Sequence, residues 1–171
     1  MKYGTMSYLS VEGNVLMIEK FKRKDDPNSG FFTLPGGKLE DSEKLNSSGR
    51  LESAVRETED ETGLILIKPR LRGVILFDNS KRVFKNWKNP EDFLVHLFAA
   101  VDYRGQLKKK SDEGIPCWIN KSLIPTLPKN EGDSKIYEWL EDPRHFMGVI
   151  NHKGRALDEE NTFVDYFNLT Y

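Results

Sequence analysis

The segment from Leu34 to Leu64 constrains the fold more than any other part of the chain. It opens with the glycine turn Pro35-Gly36-Gly37 and continues into a stretch that predicts a helix from Ser48 to Thr62. Gly63 follows directly, in the position of a residue that ends a helix as a C-terminal cap. A glycine-rich turn therefore leads into a long helix, with a connecting loop between them.

The predicted helix has two distinct faces at about 100° per residue. One is mostly apolar and consists of residues that recur every three or four positions: Leu51, Ala54, Val55, Thr58 and Thr62. The carboxylates of Glu57, Asp60 and Glu61 gather on another face, where like charges repel. They form either a solvated surface or a site for Mg²⁺, which takes carboxylate oxygens and substrate phosphates. The glycine turn favours the second interpretation, because its backbone can approach an ion or a phosphate closely.

These residues resemble the Nudix box, a pattern of glycine, five residues, glutamate, seven residues and then R-E-U-x-E-E-x-G-U, where U is a bulky aliphatic residue. The matching positions are Gly37, Glu43, Arg56, Glu57, Asp60, Glu61, Gly63 and Leu64. The chain departs from the pattern in three ways. Twelve residues separate Glu43 from Arg56, Thr58 replaces an aliphatic residue, and Asp60 replaces a glutamate.

The resemblance implies an α/β protein with a Nudix-type α/β/α sandwich around a central mixed sheet. It also implies a hydrolase that cleaves the pyrophosphate bond of a nucleoside diphosphate linked to another group. By resemblance, Glu57, Asp60 and Glu61 hold Mg²⁺, or alternatively Mn²⁺. The carbonyl oxygen of Gly37 is a further ligand, and Arg56 orients Glu57 without touching the metal.

An acidic residue in a loop later in the chain often completes the metal site or acts as the base in Nudix enzymes. Glu113 is the candidate here and Asp112 the alternative, although Asp112-Glu113-Gly114 is also an ordinary turn. Arg23 lies in the basic segment from Lys22 to Gly30, which is either a solvated loop or a rim that faces phosphate.

Segments after Val95 resemble the branch that contains MutT and the mammalian oxidised-purine triphosphatases. The matching features are L-F-A-A-V, P-C-W, E-G-D and F-M-G. Acidic residues near the start of the late helix contact the purine in that branch, at about the position of Glu131 and Asp133. Asp133 can instead cap a helix that runs to Leu140. Thr33 stands where an asparagine often contacts the base.

The leading functional hypothesis is a Mg²⁺-dependent nucleoside triphosphate pyrophosphohydrolase that converts (d)NTPs to NMP and pyrophosphate, with 8-oxo-dGTP as the favoured substrate. The alternatives are hydrolysis of ADP-ribose or another nucleotide sugar, and a non-catalytic Nudix module that binds a nucleotide. Asp60 and the longer loop favour the non-catalytic module, whereas the retained acidic residues oppose it. The histidines, His96, His145 and His152, are expected to be satisfied within the fold and not catalytic.

The chain of 171 residues is expected to form a single domain, residues 1–171. Its 26 basic and 27 acidic residues nearly balance, so no net electrostatic attraction to nucleic acid or to a membrane is expected. The partner that the resemblance implies is a small nucleotide. The single cysteine excludes an intramolecular disulfide, which agrees with a location in the reducing cytoplasm. The first twenty residues lack the apolar core of a signal peptide, and no apolar run reaches the roughly 20 residues that span a bilayer.

Alternation of apolar and polar residues predicts the strands. Residues Glu12 to Asn14 indicate the turn between the first two, and Pro69 indicates a bend in the fourth segment. The predicted strand segments are Tyr3 to Val11, Val15 to Phe21, Phe31 to Leu34, Leu64 to Phe77, Phe93 to Tyr103, Ile115 to Ile119, Phe146 to Asn151 and Thr162 to Phe167. The last two form a hairpin around a polar loop, His152 to Asn161.

Overall fold

The computed structural model describes residues 1–22, 28–46, 48–81, 91–154 and 156–169. Its strands are β1 (Lys2–Val11), β2 (Asn14–Lys20), β3 (Phe32–Thr33), β4 (Leu64–Leu66), β5 (Arg70–Asp78), β6 (Phe93–Ala100), β7 (Tyr103–Gly105), β8 (Gly114–Asn120), β9 (His145–Lys153), β10 (Ala156–Leu157) and β11 (Phe163–Phe167). Its helices are α1 (Asp41–Leu45), α2 (Gly49–Thr62) and α3 (Glu131–Leu140), and short 3₁₀ turns cover Lys121–Thr126 and Glu159–Asn161. None of the helices in these ranges has both the length and the apolar character needed to cross a membrane.

Nine of the described strands form one mixed sheet in the order β10-β9-β5-β6-β1-β2-β3, with β11 beside β9 and β8 beside β2. The pairs β1–β6 and β5–β9 are parallel, and the other pairs are antiparallel. Strands β4 and β7 form a separate antiparallel pair. The prediction of a central mixed sheet is confirmed.

Helices cover both faces of the sheet. Successive side chains of β1 point to opposite faces, so neighbouring residues of this strand contact different helices. Ser7 contacts α2, where its hydroxyl donates to the carbonyl of Ala54 at 3.3 Å. Its neighbours Met6 and Tyr8 pack against the core cluster that contains Ile136 of α3. The α/β/α sandwich is therefore confirmed.

The larger core lies between α3 and the sheet. Trp139 of α3 meets Phe146 of β9 edge to face, with ring centroids 5.8 Å apart. A Cβ atom at Gly148 would lie 2.2 Å from the Trp139 ring, so only glycine lets the helix pass this close to the strand. Fully burying one such large side chain contributes about 1.5–3 kcal/mol, and this packing fixes where α3 begins relative to the sheet.

Helix α2 occupies nearly the predicted residues and ends at Gly63, whose φ of 79° and N–H bond to the carbonyl of Glu59 are those of a left-handed cap. Its buried face differs from the prediction, because Leu51 is 37% exposed. The buried residues of α2 are Gly49, Ser53, Ala54, Thr58, Glu61 and Thr62. Thr58 donates to Ser7 at 2.8 Å. Small polar side chains thus let α2 lie close to β1, and the helix is rotated accordingly.

Three other predictions were wrong in detail. The strand from Phe93 to Tyr103 is divided, because exposed Val101 and its neighbour separate β6 from β7, and β7 pairs with β4 instead. Helix α3 starts at Glu131 with Asn130 at the N-cap position, so Asp133 is its third residue and not its cap. The loop from His152 to Asn161 continues β9 and contains β10 and a 3₁₀ turn.

Candidate active site

The glycine turn lies directly on β1. The amide of Ser7 donates to the carbonyl of Pro35, and the amide of Thr5 donates to the carbonyl of Gly37, both at 2.9 Å. Gly36 has a φ of 155°, and a Cβ atom there would lie 2.1 Å from the carbonyl oxygen of Thr5. The turn therefore requires glycine both for its conformation and for its contact with the strand.

The acidic part of α2 lies against this turn. A Cβ atom at Gly37 would lie 2.4 Å from Oε2 of Glu57, and the amide of Gly36 donates to Oε2 of Glu61 at 2.9 Å. The absence of side chains at both glycines lets the two carboxylates approach the backbone of the turn.

Glu61 is buried, with 7% of its surface exposed, so it is not part of a solvated surface, which was the alternative to a metal site. Burial raises its pKa to about 7, since a desolvated carboxylate resists ionisation. The Gly36 amide and the charge of Lys20 lower the pKa, whereas the charges of Glu57 and Glu113 raise it. The acidic face thus contains one carboxylate whose charge is costly in the folded protein.

Arg56 connects two carboxylates. Its Nε and Nη2 atoms donate to the two oxygens of Glu43 at 2.9 and 3.0 Å, and its Nη1 atom donates to Oε1 of Glu57 at 2.8 Å. The hydrogen bonds from Arg56 hold the pKa of Glu43 below its usual value. The guanidinium of Arg56 thus contacts Glu57, the residue that it is predicted to orient.

Glu113 approaches the same region from another part of the chain. Its carboxylate forms an ion pair with Nζ of Lys20, at the end of β2, and its carbonyl accepts the amide of Phe21 at 3.3 Å. Asp112 is exposed. The charges of Glu113 and Lys20 both act on the pKa of Glu61, so the structure places Glu113 within electrostatic range of the acidic face of α2.

Among the described residues, no group of three or more His, Cys, Asp or Glu side chains is already gathered closely enough to hold a metal. Other groups engage these carboxylates: Arg56 binds Glu57, and the turn binds Glu61. Asp60 is 68% exposed, with Oδ2 3.9 Å from Nη1 of Arg56. The donor chemistry still fits a hard divalent cation, because such an ion takes carboxylate oxygens and its charge would offset the burial and the neighbouring carboxylates that raise the pKa of Glu61.

The carbonyl oxygen of Gly37, a predicted metal ligand, accepts the amide of Thr5 and therefore faces β1. A carbonyl oxygen can accept a second partner, so its role as a metal ligand stays a prediction. Backbone pairing with a distant strand sets the direction of this carbonyl, which the sequence pattern does not give.

A cleft of about 280 Å³ adjoins the turn. Its apolar lining residues are Met6, Leu34, Phe77 and Phe93. The glycine turn and the cations Lys2, Lys20 and Lys38 also line it. The start of α3 also lines it, through Asn130, Gly132 and Asp133, together with Asn28, Thr33, Asn79, Glu91 and His152. The predicted base-contacting residues Thr33 and Asp133 both lie here.

Glu131, a predicted base-contacting residue, is not among the residues that line the cleft. It is exposed, and its Oε2 atom accepts the amide of Leu157 at 2.8 Å, so it anchors the segment after β9, and its contact with a base stays a prediction. Arg23 lies outside the described residues. Lys20 and His152 line the cleft although no sequence motif identified them; Lys20 does end an apolar run on β2, which is a weak signal that a cation faces the site.

Comparison with known proteins decides the family. The model of the NUDIX domain matches residues 5–140, a range that contains the glycine turn and all of α2. The chain belongs to the Nudix family. A Nudix hydrolase of Bacillus subtilis (strain 168), YvcI, itself uncharacterised, is 30% identical over 138 residues, which cover 80% of this chain and 77% of the relative.

Two further comparisons concern other Nudix proteins. An ADP-ribose pyrophosphatase of Methanocaldococcus jannaschii is 28% identical over 117 residues, which cover 68% of this chain and 60% of that protein. The crystal structure of a MutT protein from Bacillus halodurans superposes with a TM-score of 0.77 at 26% identity, covering 96% of this chain and 98% of the other. The expectations of a MutT-like Nudix fold and of membership among the Nudix hydrolases are confirmed.

Proposed function

We propose that this Nudix hydrolase converts nucleoside triphosphates to the monophosphate and pyrophosphate in a Mg²⁺-dependent reaction. The observation that carries the proposal is the cleft. It runs along the glycine turn, which Lys20 and Lys38 flank and whose Gly36 amide binds Glu61, and it reaches the start of α3, where Asp133 lines it. A triphosphate needs both environments, one for its phosphates and one for its base.

The phosphate end is rich in charge of both signs. Lys20 and Lys38 line the cleft beside Gly36 and Gly37 and supply positive charge to phosphate oxygens. Glu57 and Glu61 would hold the divalent cation, with Asp60 and Glu113 as further oxygen donors. When bound, such a cation neutralises phosphate charge and activates water.

The protein's own side chains contribute positioning and proton transfer. Arg56 fixes Glu57 through a hydrogen bond and does not itself line the cleft. Burial raises the pKa of Glu61 to about 7 in the metal-free protein, and a bound cation would favour the ionised carboxylate that can take a proton from an attacking water. Glu113 is the second candidate base, since its carboxylate lies within electrostatic range of Glu61.

The base end favours a single nucleoside. The cleft of about 280 Å³ lies near the lower limit of small-molecule sites, which span roughly 300–1,000 Å³. Its aromatic and aliphatic lining accepts a flat ring, while Thr33 and Asp133 offer hydrogen-bonding groups at the edge. We include 8-oxo-dGTP among the substrates because a cleft with polar groups at its rim has room to contact a modified purine.

Hydrolysis of ADP-ribose is the second candidate. It is favoured by the similarity to the ADP-ribose pyrophosphatase of M. jannaschii. In ADP-ribose a ribose is attached to the second phosphate, where a nucleoside triphosphate has its third phosphate. ADP-ribose therefore needs additional space beyond the turn.

A panel of substrates separates the two reactions. The purified protein is incubated with Mg²⁺ and each of the (d)NTPs, 8-oxo-dGTP, ADP-ribose and a nucleotide sugar. Release of pyrophosphate from the triphosphates at the highest kcat/KM supports the proposal. Preferential formation of two monophosphates from ADP-ribose would replace it with the second candidate, and the same panel with Mn²⁺ identifies the preferred ion.

A further inference from the structure

A second cavity, of about 300 Å³, lies beside α3. Among the described residues, none lines both the cleft and this cavity. Its lining comes from three parts of the chain: strand β1, the 3₁₀ turn with the segment after it, and helix α3. The lining residues are Tyr8, Lys121, Ile124, Pro125, Lys129, Ser134, Tyr137, Glu138 and Glu141. The proposed reaction uses none of them.

The charged residues of the cavity are divided by sign. Glu138 and Glu141 are three residues apart, so α3 presents both carboxylates on one face. The 3₁₀ turn and the segment after it contribute the ammonium groups of Lys121 and Lys129. A cavity with one acidic and one basic wall is complementary to a ligand that carries both charges.

Two of these four charges are already engaged within the protein. Nζ of Lys129 donates to the carbonyls of Ile124 and Pro125 at 2.9 and 3.0 Å, so it holds the end of the 3₁₀ turn. Glu138 forms an ion pair with Lys135 at 3.3 Å. The other cation and the other carboxylate are the charges that can serve a ligand.

Lys121 and Glu141 are these two residues, and both are exposed. Within the part of the chain that the structure describes, no ion pair includes either of them. Both act on Tyr8. Nζ of Lys121 is 5.8 Å from the centre of its ring, and burial together with the charge of Glu141 raises the pKa of its hydroxyl. Opposite charges therefore lie near one ring without pairing with each other.

We propose that this cavity binds an α-amino acid with an apolar side chain, whose carboxylate pairs with Lys121 and whose ammonium group pairs with Glu141. Both charged groups of such a ligand are attached to the same carbon atom, so one small molecule can contact both residues. The inference does not rest on the proposed function, because no residue of the cavity belongs to the candidate active site.

The remainder of the cavity suits the apolar side chain of such a ligand. Ile124 is buried and Pro125 follows it in the turn. Tyr8 and Tyr137 pack against the main core cluster and contribute aromatic rings. A volume of about 300 Å³ is at the lower limit of small-molecule sites, which span roughly 300–1,000 Å³. The cavity can therefore hold one ligand of this size.

The two charged walls also disfavour other ligand classes. A ligand with negative charge alone, such as a nucleotide, would bring its phosphates near the carboxylates of α3. A simple amine would bring its charge near the ammonium groups of the opposite wall. Only a ligand with both charges gains an attractive partner on each side.

The test is isothermal titration calorimetry with L-phenylalanine and with L-leucine, in a chelator and without nucleotide. We expect a Kd below about 1 mM. Two analogues of phenylalanine each lack one charge: phenylpropionate has no ammonium group, and phenethylamine has no carboxylate. Each analogue is expected to bind at least about tenfold more weakly than phenylalanine, because one charged residue loses its partner.

Two variants assign the charges to residues. Lys121→Met is expected to weaken phenylalanine about tenfold and phenethylamine less than about twofold, since that analogue has no carboxylate. Glu141→Gln is expected to weaken phenylalanine about tenfold and phenylpropionate less than about twofold. Lys109→Met and Glu59→Gln are the matched controls, because both residues are exposed outside the cavity, and they are expected to leave all affinities unchanged.

No detectable binding of either amino acid would overturn the inference. Equal affinity for phenylalanine and one of its analogues would overturn it as well, because one charged wall would then contribute nothing. Unchanged affinity in Lys121→Met and Glu141→Gln would place the ligand elsewhere. Thermal unfolding establishes that each variant is folded, and the comparison of analogues on the natural protein needs no variant. A failure of the proposed reaction in the substrate panel is a separate result, since these titrations contain neither Mg²⁺ nor nucleotide.

Discussion

Arg56 donates two hydrogen bonds to the carboxylate of Glu43, although twelve residues separate them in the chain. Lys44 and Leu45 continue α1 beyond Glu43. Gly49 then brings the start of α2 onto the backbone of Glu43, where a Cβ atom would lie 2.1 Å from its carbonyl oxygen. Arg56 and Glu43 therefore form their ion pair across the longer connection between them.

Glu43→Gln is expected to lower the free energy of unfolding at pH 7 by about 1–3 kcal/mol, because a neutral amide cannot accept both hydrogen bonds from Arg56. The pKa of Glu43 in the folded protein lies below its usual 4.5, so the stabilisation is present above pH 4.5 and is lost as the pH falls through the folded pKa. Urea unfolding at pH 7 and at about pH 3 should show the difference shrinking in acid. Glu59→Gln, exposed on the same helix, is the control; a loss of similar size there would contradict the pairing.

Glu61→Gln is expected to abolish turnover and to stabilise the metal-free protein. Since the folded pKa of about 7 lies above the usual 4.5, the natural protein loses stability as the pH rises from 4.5 to 7. The glutamine is neutral throughout and can still accept the Gly36 amide. We expect the variant to be more stable at pH 8 by up to about 3 kcal/mol and equal below pH 4.5. The stability of both proteins is measured against pH in a chelator. A difference that does not change with pH, or a turnover rate near that of the natural protein, would contradict the proposed role of Glu61.

Asp60→Glu restores the residue of the family pattern, and we expect it to change kcat/KM by less than about tenfold, or roughly 1.4 kcal/mol. Asp60 is exposed, so a longer side chain meets no steric obstacle, and both residues offer hard oxygen donors. Steady-state kinetics with Mg²⁺ measures the change. A rise of several hundredfold would show that aspartate impairs the natural enzyme and would point to a mainly binding role.

Asp133→Asn is expected to lower kcat/KM for purine triphosphates selectively, because the phosphates are bound at the other end of the cleft. Pyrimidine triphosphates should change little. Glu131→Gln is the neighbouring control, since an amide oxygen can still accept the amide of Leu157 and the residue does not line the cleft. An equal loss on purines and pyrimidines would remove Asp133 from base recognition.

Glu113→Gln is expected to lower kcat by more than about tenfold, because it removes a carboxylate that can accept a proton beside Glu61. Asp112→Asn, one residue earlier and exposed, is expected to change kcat less than about threefold by the same reasoning. A pH–rate profile for each variant distinguishes loss of a base from misfolding, because only the former moves an apparent pKa. Equal losses in both variants would assign the effect to the turn.

The sequence by itself determined the features that depend on neighbouring residues. The bounds of α2, the cap at Gly63 and the turn between β1 and β2 agree with prediction, because a cap or a tight turn is stabilised by residues within a few positions. The Nudix pattern also identified the glycine turn and the carboxylates of α2. These parts of the candidate site follow from residue types and their spacing along the chain.

Only the tertiary structure decided which faces meet. It buried Glu61 beneath the turn, directed the Gly37 carbonyl toward β1, paired Lys20 with Glu113 across 93 residues, and brought His152 to the wall of the cleft. It also added Ser53 and Glu61 to the buried face of α2 and left Leu51 exposed, because the contacts of Ser53 and Thr58 with β1 set the rotation of the helix. The physical reason is that burial, and with it the pKa of Glu61, depends on packing between segments far apart in the chain.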